Sequence, residues 1–582
     1  MSASLNISDV EKQPENIELK SSATPEPNVD SLVENDSPTT GKGSFFNRII
    51  VKHSPRSLPL WLKHKKAIVM YSLIISLTLY LIFGIMVTGF KNCKDLFGIL
   101  VFGAICVFYV TIRDNFGTQI NVLVFKPLYA RIDHNWRVFR WFAYGGPVLF
   151  VVLWIILDTI KDVRRLQSVF GLVVFIFLAY CMSVKRRKVV WRPVLWGLSL
   201  QFIFGILILR TKGGYDITKY LGDKVTIFLE FSTVGVEFVF GATYYEHFIA
   251  FKVLMVIVFF TSVASILYYW GVLQVIMKKL AWLMFRTLHV SGVEALCAAA
   301  NIFVGMMEAP LMVSPYVEQV TMSELHSIMT SGLATVAGGM LAAYVSLGID
   351  AQHVMSASVM SAPASLAISK LMYPETEVPA TSGVAAVKME ERKEKNVIEA
   401  AARGASVAVG IVANIGANLI AFFSLLAFVN AVLSYLGGLV AYPELSFEVI
   451  CSYVFAPISF LMGVEWNDCM IVAKLVGVKT FINEFLAFNQ LSILLKNRQA
   501  NVGPMLSHRS EILAIYVLTG FTNFLSVGIF LGGYGQLAPS RKSDMAKIAV
   551  RTLIAATLAC MVTACVAGIL YMESWDASSK IN

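Results

Sequence analysis

The sequence predicts an all-α polytopic membrane protein, and its composition, its long uncharged segments and a weak internal repeat indicate this class. Of its 582 residues, 57% are hydrophobic and 15% are charged, and the mean hydropathy is +0.67. Ordinary soluble domains carry about a quarter of their residues as charged side chains. The shortage of charge therefore predicts that lipid surrounds most of the chain.

Long uncharged segments set the expected number of crossings, because a helix needs about 20 apolar residues to span the hydrocarbon core. Such segments lie at 67–90, 96–112, 141–157, 166–184, 193–209, 253–277, 327–349, 353–372, 404–436, 512–535 and 552–572. The stretches 295–316 and 447–465 are too short or too interrupted by Glu, Gly and Pro to cross. We expect about eleven transmembrane helices plus two re-entrant hairpins.

Basic residues cluster beside the spans rather than along one helix face, so the net charge of +10 indicates membrane topology and no nucleic-acid partner. The clusters at 52–66 and 185–192 belong in the cytoplasm by the positive-inside rule. We expect a multi-pass plasma-membrane protein with a cytoplasmic N-terminus and an extracellular C-terminus. The loop around Arg164 carries more positive charge than an outside loop should.

An internal repeat favours a secondary transporter, whose halves share a fold with opposite topology. The segments 303–308 (FVGMME) and 460–465 (FLMGVE) each have a glycine closely followed by a carboxylate. Further on, Ser323-Glu324 and Ser510-Glu511 each begin an apolar segment with an isoleucine five residues after the serine. We therefore predict inverted repeats, each a hairpin plus a broken helix, with the binding site between them.

Four polar side chains in apolar surroundings are candidates for ligand binding. A carboxylate in mid-membrane costs about 2.5–3.5 kcal/mol, so Glu308 and Glu484 are functional candidates. The alternatives are a hairpin cap for Glu308 and an ion pair with Lys479 for Glu484. Asn523 and Ser526 stand three apart and are expected to share a helix face, with interhelical polar contact as the alternative. Together these groups suit a ligand with several hydroxyls, such as a ribose.

Four segments resemble the concentrative nucleoside transporters of the animal, cation-coupled type. They are 477–487 (GVKTFINEFLA), 356–365 (SASVMSAPAS), 463–466 (GVEW) and 538–541 (APSR). The resemblance covers about 190–572, and the three earlier spans are similar to the animal-type extension. It implies a nucleoside symporter, not an enzyme, that forms a homotrimer with a scaffold part and a transport part in each subunit.

The resemblance also implies a binding site. Glu308, Glu484, Asn523 and Ser526 would bind the ribose, with Phe521 nearby. The side chains of Asn301 and Thr335 and the backbone carbonyls of Val304 and Val336 would hold a sodium ion. Sodium is the expected coupling ion, and no other cofactor is expected. Hard oxygen ligands from a broken hairpin and a broken helix suit a small alkali cation.

The positions that resemble base contacts depart from the usual family pattern. Met306 and Met307 replace Gln or Met followed by Thr, and Gly339-Met340 replaces Ser or Thr followed by a small aliphatic residue. These changes predict base recognition by shape and apolar contact. The pair Gly305-Met306 resembles the purine-preferring members, so purine nucleosides are the preferred expected substrates and uridine is a possible one.

The expected organisation follows from these segments: 1–45 disordered cytoplasmic tail, 46–160 N-terminal three-helix extension, 161–285 scaffold helices, 286–372 transport repeat 1, 373–403 cytoplasmic loop, 404–440 scaffold helix, 441–572 transport repeat 2 and 573–582 extracellular tail. An integral-membrane enzyme is disfavoured because most of the eight histidines lie in loops or at span ends, without a cluster. His326, beside Glu324, could sense protons. Proton-coupled symport and passive carriage or channel activity remain alternatives.

Overall fold

A computed structural model describes residues 136–306, 308–379 and 394–572, together with part of 72–103. It divides into two compact units, 1–130 and 131–582. The first contains the apolar helix Ile75–Val87. In the described ranges every regular element is helical, which confirms the predicted fold class. Both predicted tails, residues 380–393 of the predicted cytoplasmic loop and Met307 lie outside these ranges.

Five helices precede the repeats in the second unit. They are α1 (Trp136–Leu157), α2 (Val163–Cys181), α3 (Trp191–Leu209), α4 (Lys212–Glu230) and α5 (Ser232–Phe240). The Asp162 and Thr211 side chains cap α2 and α4 by accepting a backbone N–H of the first turn. Such caps satisfy donors that a helix start leaves without an intrahelical partner.

The first repeat runs from a membrane-length helix through a hairpin to a broken helix. Its elements are α6 (Leu254–Tyr269), α7 (Val272–Leu288), α8 (Gly292–Ala300), the short turns α9 (Glu308–Leu311) and α10 (Ser314–Val317), α11 (Met322–Ala334), α12 (Gly338–Ser346) and α13 (Ala351–Met372). Capping boxes at Ser291 and Thr321 begin α8 and α11.

The second repeat has the same order of elements. They are α14 (Val397–Gly438), α15 (Phe447–Met462), α16 (Cys469–Phe481), α17 (Glu484–Ala500), α18 (His508–Leu518), α19 (Phe524–Leu537) and α20 (Lys542–Leu570). The predicted repeat of Ser323-Glu324 and Ser510-Glu511 falls at the starts of α11 and α18. Both helices end at a break, as the sequence predicted.

Burial separates the helices into a core and a periphery. In the most apolar 18 residues of Met322–Ser346, Ala351–Met372 and Pro539–Leu570, 89% of the residues are buried, whereas none is buried in the most apolar 18 residues of Val397–Gly438. Seven helices among the described residues are long and apolar enough to cross a membrane. The three buried spans pack on one another, and α14 packs along α6.

Two predicted segments differ from the structure. The stretch 447–465 is not a hairpin: α15 is continuous through Pro457 and ends at Gly463, whose φ of +100° favours glycine. The hairpin of the second repeat is instead formed by α16 and α17. The segment 512–535 was counted as one uncharged crossing, and the helix break predicted for the second repeat divides it between α18 and α19. The motif match in the sequence paired Glu308 with Glu465. The structure places the second hairpin tip at Glu484, about twenty residues later.

Candidate functional site

Two interrupted helices touch each other at their breaks. Residues 335–337 separate α11 from α12, and 519–523 separate α18 from α19. A side chain at Gly520 would approach the Ala334 carbonyl oxygen to 2.9 Å and the Cys560 sulfur to 3.0 Å, and its φ is +119°. Glycine is therefore required at this position, and the two breaks form one continuous polar region.

The tip of the first hairpin packs against the first break. Residues 301–307 connect α8 to α9, and the Gly338 N–H donates to the Phe303 carbonyl at 3.3 Å. The carboxylate of Glu308 lies directly over Gly305, where a β-carbon would collide with it. Gly305 therefore leaves the space that the half-buried Glu308 side chain occupies.

The predicted sodium ligands meet where the hairpin tip contacts the first break. Asn301 and Thr335 are the C-cap residues of α8 and α11, and both are 1% exposed. Asn301 donates to the Ser331 hydroxyl at 3.2 Å, while its buried Oδ1 has no hydrogen-bond partner among the described residues. Such an oxygen is available to a cation.

Helix polarity favours a cation at the same place. The C-terminal ends of α8 and α11 carry the partial negative charge of their last carbonyl groups. Val336 is buried and Val304 is half-buried in the two unwound segments. The donor set of amide, hydroxyl and carbonyl oxygens therefore fits an alkali cation. Among the described residues there is no His, Cys, Asp and Glu cluster able to hold a transition metal.

The second buried carboxylate lies at the tip of the second hairpin. Glu484 is the first residue of α17 and 6% exposed, and its Oε2 accepts from the Asn523 amide at 2.6 Å. Asn483 caps the same helix by accepting the Leu486 N–H at 2.8 Å. The neighbouring asparagine therefore positions the helix, while Glu484 faces the second break.

Asn523 and Ser526 come together through capping rather than on one helix face. Asn523 has an extended backbone and is the N-cap of α19, and its Oδ1 accepts the Ser526 N–H at 2.7 Å. The other side of its amide donates to Glu484. One side chain thus orders the helix start and holds the carboxylate. Phe521 is buried in the break just before it.

Two further signature residues have structural partners in the second repeat. The Lys479 ammonium is buried and donates to the Val517 carbonyl at 2.6 Å, near the C-terminal end of α18. It also interacts electrostatically with Glu484, but the two groups do not form the ion pair that the sequence offered as an alternative. Gly477 packs against Cys451, leaving no space for a side chain.

Sequence reasoning missed Tyr344. This residue lies on α12, is fully buried, and interacts with the Glu484 carboxylate. Its ring stacks on Phe488 with the ring centroids 4.2 Å apart. A lone tyrosine in an apolar segment gives no periodic or motif pattern, and only the packing of the two repeats brings it to Glu484.

The structure places the positions predicted to contact a base in two different surroundings. Met306 and Met340 are buried, and Met306 lies within 3.2 Å of a β-carbon built on Gly332. A side chain at Gly339 would instead face α6, meeting Ile257 and Thr261 at 3.3 and 3.4 Å. The structure therefore supports an apolar wall at Met306 and Met340, but directs position 339 towards α6.

Two helix breaks in contact, each flanked by a hairpin tip with a carboxylate, are typical of a secondary transporter. The family description "Na+ dependent nucleoside transporter" matches 170–243 with its N-terminal part and 353–568 with its C-terminal part, and "Nucleoside recognition" matches 250–350. Relatives are 45–47% identical over 78–83% of the chain. The chain belongs to the Na+-dependent nucleoside transporter family.

Two relatives and one solved structure support this assignment. Solute carrier family 28 member 3 of Eptatretus stoutii is 47% identical over 83% of this chain and 72% of its own length. Sodium/nucleoside cotransporter 2 of Rattus norvegicus is 45% identical over 78% of this chain and 70% of its own. The structure of CNTnw in an inward-facing substrate-bound state is 34% identical, covering 70% of this chain and 98% of that one, with a TM-score of 0.66. These relatives are transporters by name, not enzymes.

Proposed function

We propose that this protein imports nucleosides by symport with sodium, and that the contact between Glu484 and Asn523 carries the substrate site. Both residues lie at helix starts on the second repeat, and their side chains are 2.6 Å apart. Both are buried, Asn523 completely and Glu484 with 6% of its surface exposed. Burying such groups is costly unless a partner or ligand satisfies them.

The proposed substrate contacts follow from hydrogen-bonding capacity. The carboxylates of Glu308 and Glu484 accept hydrogen bonds from ribose hydroxyls, and the amide and hydroxyl of Asn523 and Ser526 donate to the ribose oxygens. Charge-assisted bonds of this kind contribute about 1.5–3 kcal/mol each. Phe521 offers an apolar ring beside them. The sugar, common to all nucleosides, thereby supplies most of the affinity.

The proposed sodium site couples to this substrate site through the hairpin. Sodium is held by Asn301, Thr335 and the carbonyls of Val304 and Val336, and the same turn continues to Glu308. A cation that orders residues 301–307 therefore also fixes the Glu308 carboxylate. Such ordering would favour substrate binding after sodium binding, the energetic basis of symport.

The finer assignments belong to the same proposal. Met306 and Met340 form an apolar wall that prefers the larger purine bases. The transport repeats are 286–372 and 441–572, and the helices at 161–285 and 404–440 are the scaffold. The apolar, exposed face of α14 supports contact with lipid and with other subunits of a homotrimer. The protein would work in the plasma membrane with its N-terminus in the cytoplasm and its C-terminus outside.

Uptake by proteoliposomes containing the full-length protein tests the proposal. With an inward sodium gradient, labelled adenosine should accumulate above equilibrium, and cytidine should accumulate less. Replacement of sodium by choline at fixed pH should abolish accumulation. Accumulation driven by a proton gradient alone would instead support proton coupling, and equilibration without accumulation under every gradient would support a passive carrier.

A further inference from the structure

A buried ionic cluster lies at the starts of α8 and α11, away from the proposed substrate site. We define the Glu294 cluster as Ser291, Glu294, Thr321, Ser323, Glu324, Lys370 and Glu375. Glu294 and Glu324 are each 1% exposed, and Lys370 is 6% exposed. Glu375 is partly solvent-accessible. Two buried carboxylates therefore share a single buried ammonium group, so the buried groups sum to one negative charge.

The donors of this cluster are already used. Lys370 Nζ contacts Glu294 Oε1 at 2.6 Å, Ser323 Oγ at 2.9 Å and Glu375 Oε2 at 3.1 Å. None of these three contacts of the ammonium group is to Glu324. The backbone N–H of Thr321 donates to Glu324 Oε2 at 2.7 Å.

One carboxylate oxygen is left over. Among the described residues, Glu324 Oε1 is buried and has no hydrogen-bond partner. Glu324 also interacts with the carboxylate of Glu294. A single added proton would neutralise the buried charge and convert this acceptor into a donor.

The same two helices lead to the proposed sodium site. Glu294 precedes Asn301 by seven residues on α8, and Glu324 precedes Thr335 by eleven residues on α11. At a rise of about 1.5 Å per residue, the carboxylates lie about 10 and about 16 Å from those ligands along the helix axes. Charges at such separations interact measurably in a protein interior, where water does not screen them fully.

We propose that Glu324 binds an exchangeable proton that competes with sodium at the Asn301 and Thr335 site. This inference rests on the proposed sodium coupling. The ionised pair makes the electrostatic potential at the sodium site more negative and favours the cation. Proton binding removes that contribution and weakens sodium binding. By linkage, sodium binding must release the proton to the same extent.

Other titratable groups also face the cluster. They are His326 on α11, Tyr373 and Glu377 after α13, Arg541 and Asp544 at the start of α20, and Arg551 further along α20. His326 bonds to the Ser369 hydroxyl at 2.7 Å and interacts with the cations Lys370 and Arg551. An added positive charge is better placed between two carboxylates than beside two cations.

The first test measures the half-saturating sodium concentration for adenosine uptake at mildly acidic and mildly alkaline pH. In the wild-type protein it should be several-fold higher at acidic pH. Glu324→Gln mimics the protonated side chain, so its value should be independent of pH and close to the wild-type acidic value. A Glu324→Gln protein that keeps the wild-type pH dependence would overturn the proposal.

Matched variants identify the group that binds the proton. Glu375→Gln changes another carboxylate on the same lysine, and His326→Gln removes the neighbouring imidazole. Both should keep the wild-type pH dependence. If His326→Gln abolishes it while Glu324→Gln does not, the proton binds elsewhere and the proposal is wrong.

A second measurement does not require a variant to fold. Sodium added to the purified full-length protein in weak buffer should release protons, detected with a pH-sensitive dye, and choline should not. Absence of release from a protein with sodium-dependent uptake would contradict the proton site alone. Uptake independent of sodium at every pH would instead contradict the proposed function. Loss of one coupled sodium in Glu324→Gln without proton release would indicate a cation site, and would also overturn the proposal.

Discussion

The two repeats have the same order of helices but present opposite helix ends to the candidate site. The first places Asn301 and Thr335 just after the C-terminal ends of α8 and α11. The second places Glu484 and Asn523 at the starts of α17 and α19. C-terminal ends favour cations, whereas starts stabilise carboxylates and offer donors. The duplicated architecture can therefore supply an ion site from helix C-terminal ends of the first repeat and polar substrate ligands from helix starts of the second. Glu308, the first residue of α9, adds a carboxylate from the first hairpin.

The largest expected loss of nucleoside uptake comes from substitution of the two site carboxylates. Glu484→Gln and Glu308→Gln should each reduce nucleoside uptake to near background, because the amide keeps the volume but loses charge-assisted bonds worth about 1.5–3 kcal/mol each. Uptake normalised to surface expression is the measurement. Glu444→Gln, at an exposed loop position, should transport normally. Near-normal uptake by both site variants would refute their assignment.

Asn523→Ser separates the two roles of that side chain. Serine still caps a helix, so α19 should form, but the donor to Glu484 is lost. We expect the Michaelis constant for nucleosides to rise about tenfold, the equivalent of about 1.4 kcal/mol. The matched control is Asn396→Ser, at another N-cap that accepts a backbone N–H, and it should leave uptake unchanged. Equal effects of the two variants would reduce Asn523 to a structural cap.

Thr335→Ala should change the sodium dependence of uptake without changing the base preference. Removal of one neutral oxygen ligand should raise the half-saturating sodium concentration several-fold, while the ratio of adenosine to cytidine uptake stays constant. Thr557→Ala is the control, since Thr557 likewise donates to the carbonyl four residues before it, at 2.8 Å. A sodium curve unchanged by Thr335→Ala would contradict the assigned ion site.

The smallest expected effect is a change in the preference among nucleobases. Met306→Gln introduces a polar edge into an apolar wall and should raise cytidine uptake relative to inosine by a few-fold, because apolar pockets discriminate by only about 1–3 kcal/mol per misfit group. Competition with unlabelled nucleosides gives the ratio. Met505→Gln, at an exposed position, serves as the control. A wild-type protein that already prefers cytidine, or an unmoved ratio, would contradict the proposed role of Met306.

The sequence predicted the parts of the fold that leave a local pattern. Uncharged runs located the long helices, and the serine-glutamate pairs located the starts of α11 and α18. The second hairpin was misplaced because Gly463-Val-Glu465 has the composition of a hairpin tip, although Gly463 only ends α15. Local composition cannot distinguish a glycine that caps a helix from one that turns a hairpin.

The site was predictable only where each residue is unusual for its surroundings. Glu308 and Glu484 are carboxylates in apolar segments, and costly groups of this kind indicate function by themselves. Tyr344 and the direction of Gly339 depend on how α12 packs against α6 and α17, which no single segment encodes. The capping role of Asn523 likewise depends on where the helix break falls, and that break was located only approximately.

The division of labour between the repeats is tested most directly by one crossed experiment. Thr335→Ala and Asn523→Ser are assayed side by side for sodium dependence and for preference of adenosine over 3′-deoxyadenosine. Thr335→Ala should shift only the sodium curve, and Asn523→Ser should mainly reduce the preference for the hydroxylated sugar. If both variants move both quantities equally, the ion and substrate sites are not divided between the repeats.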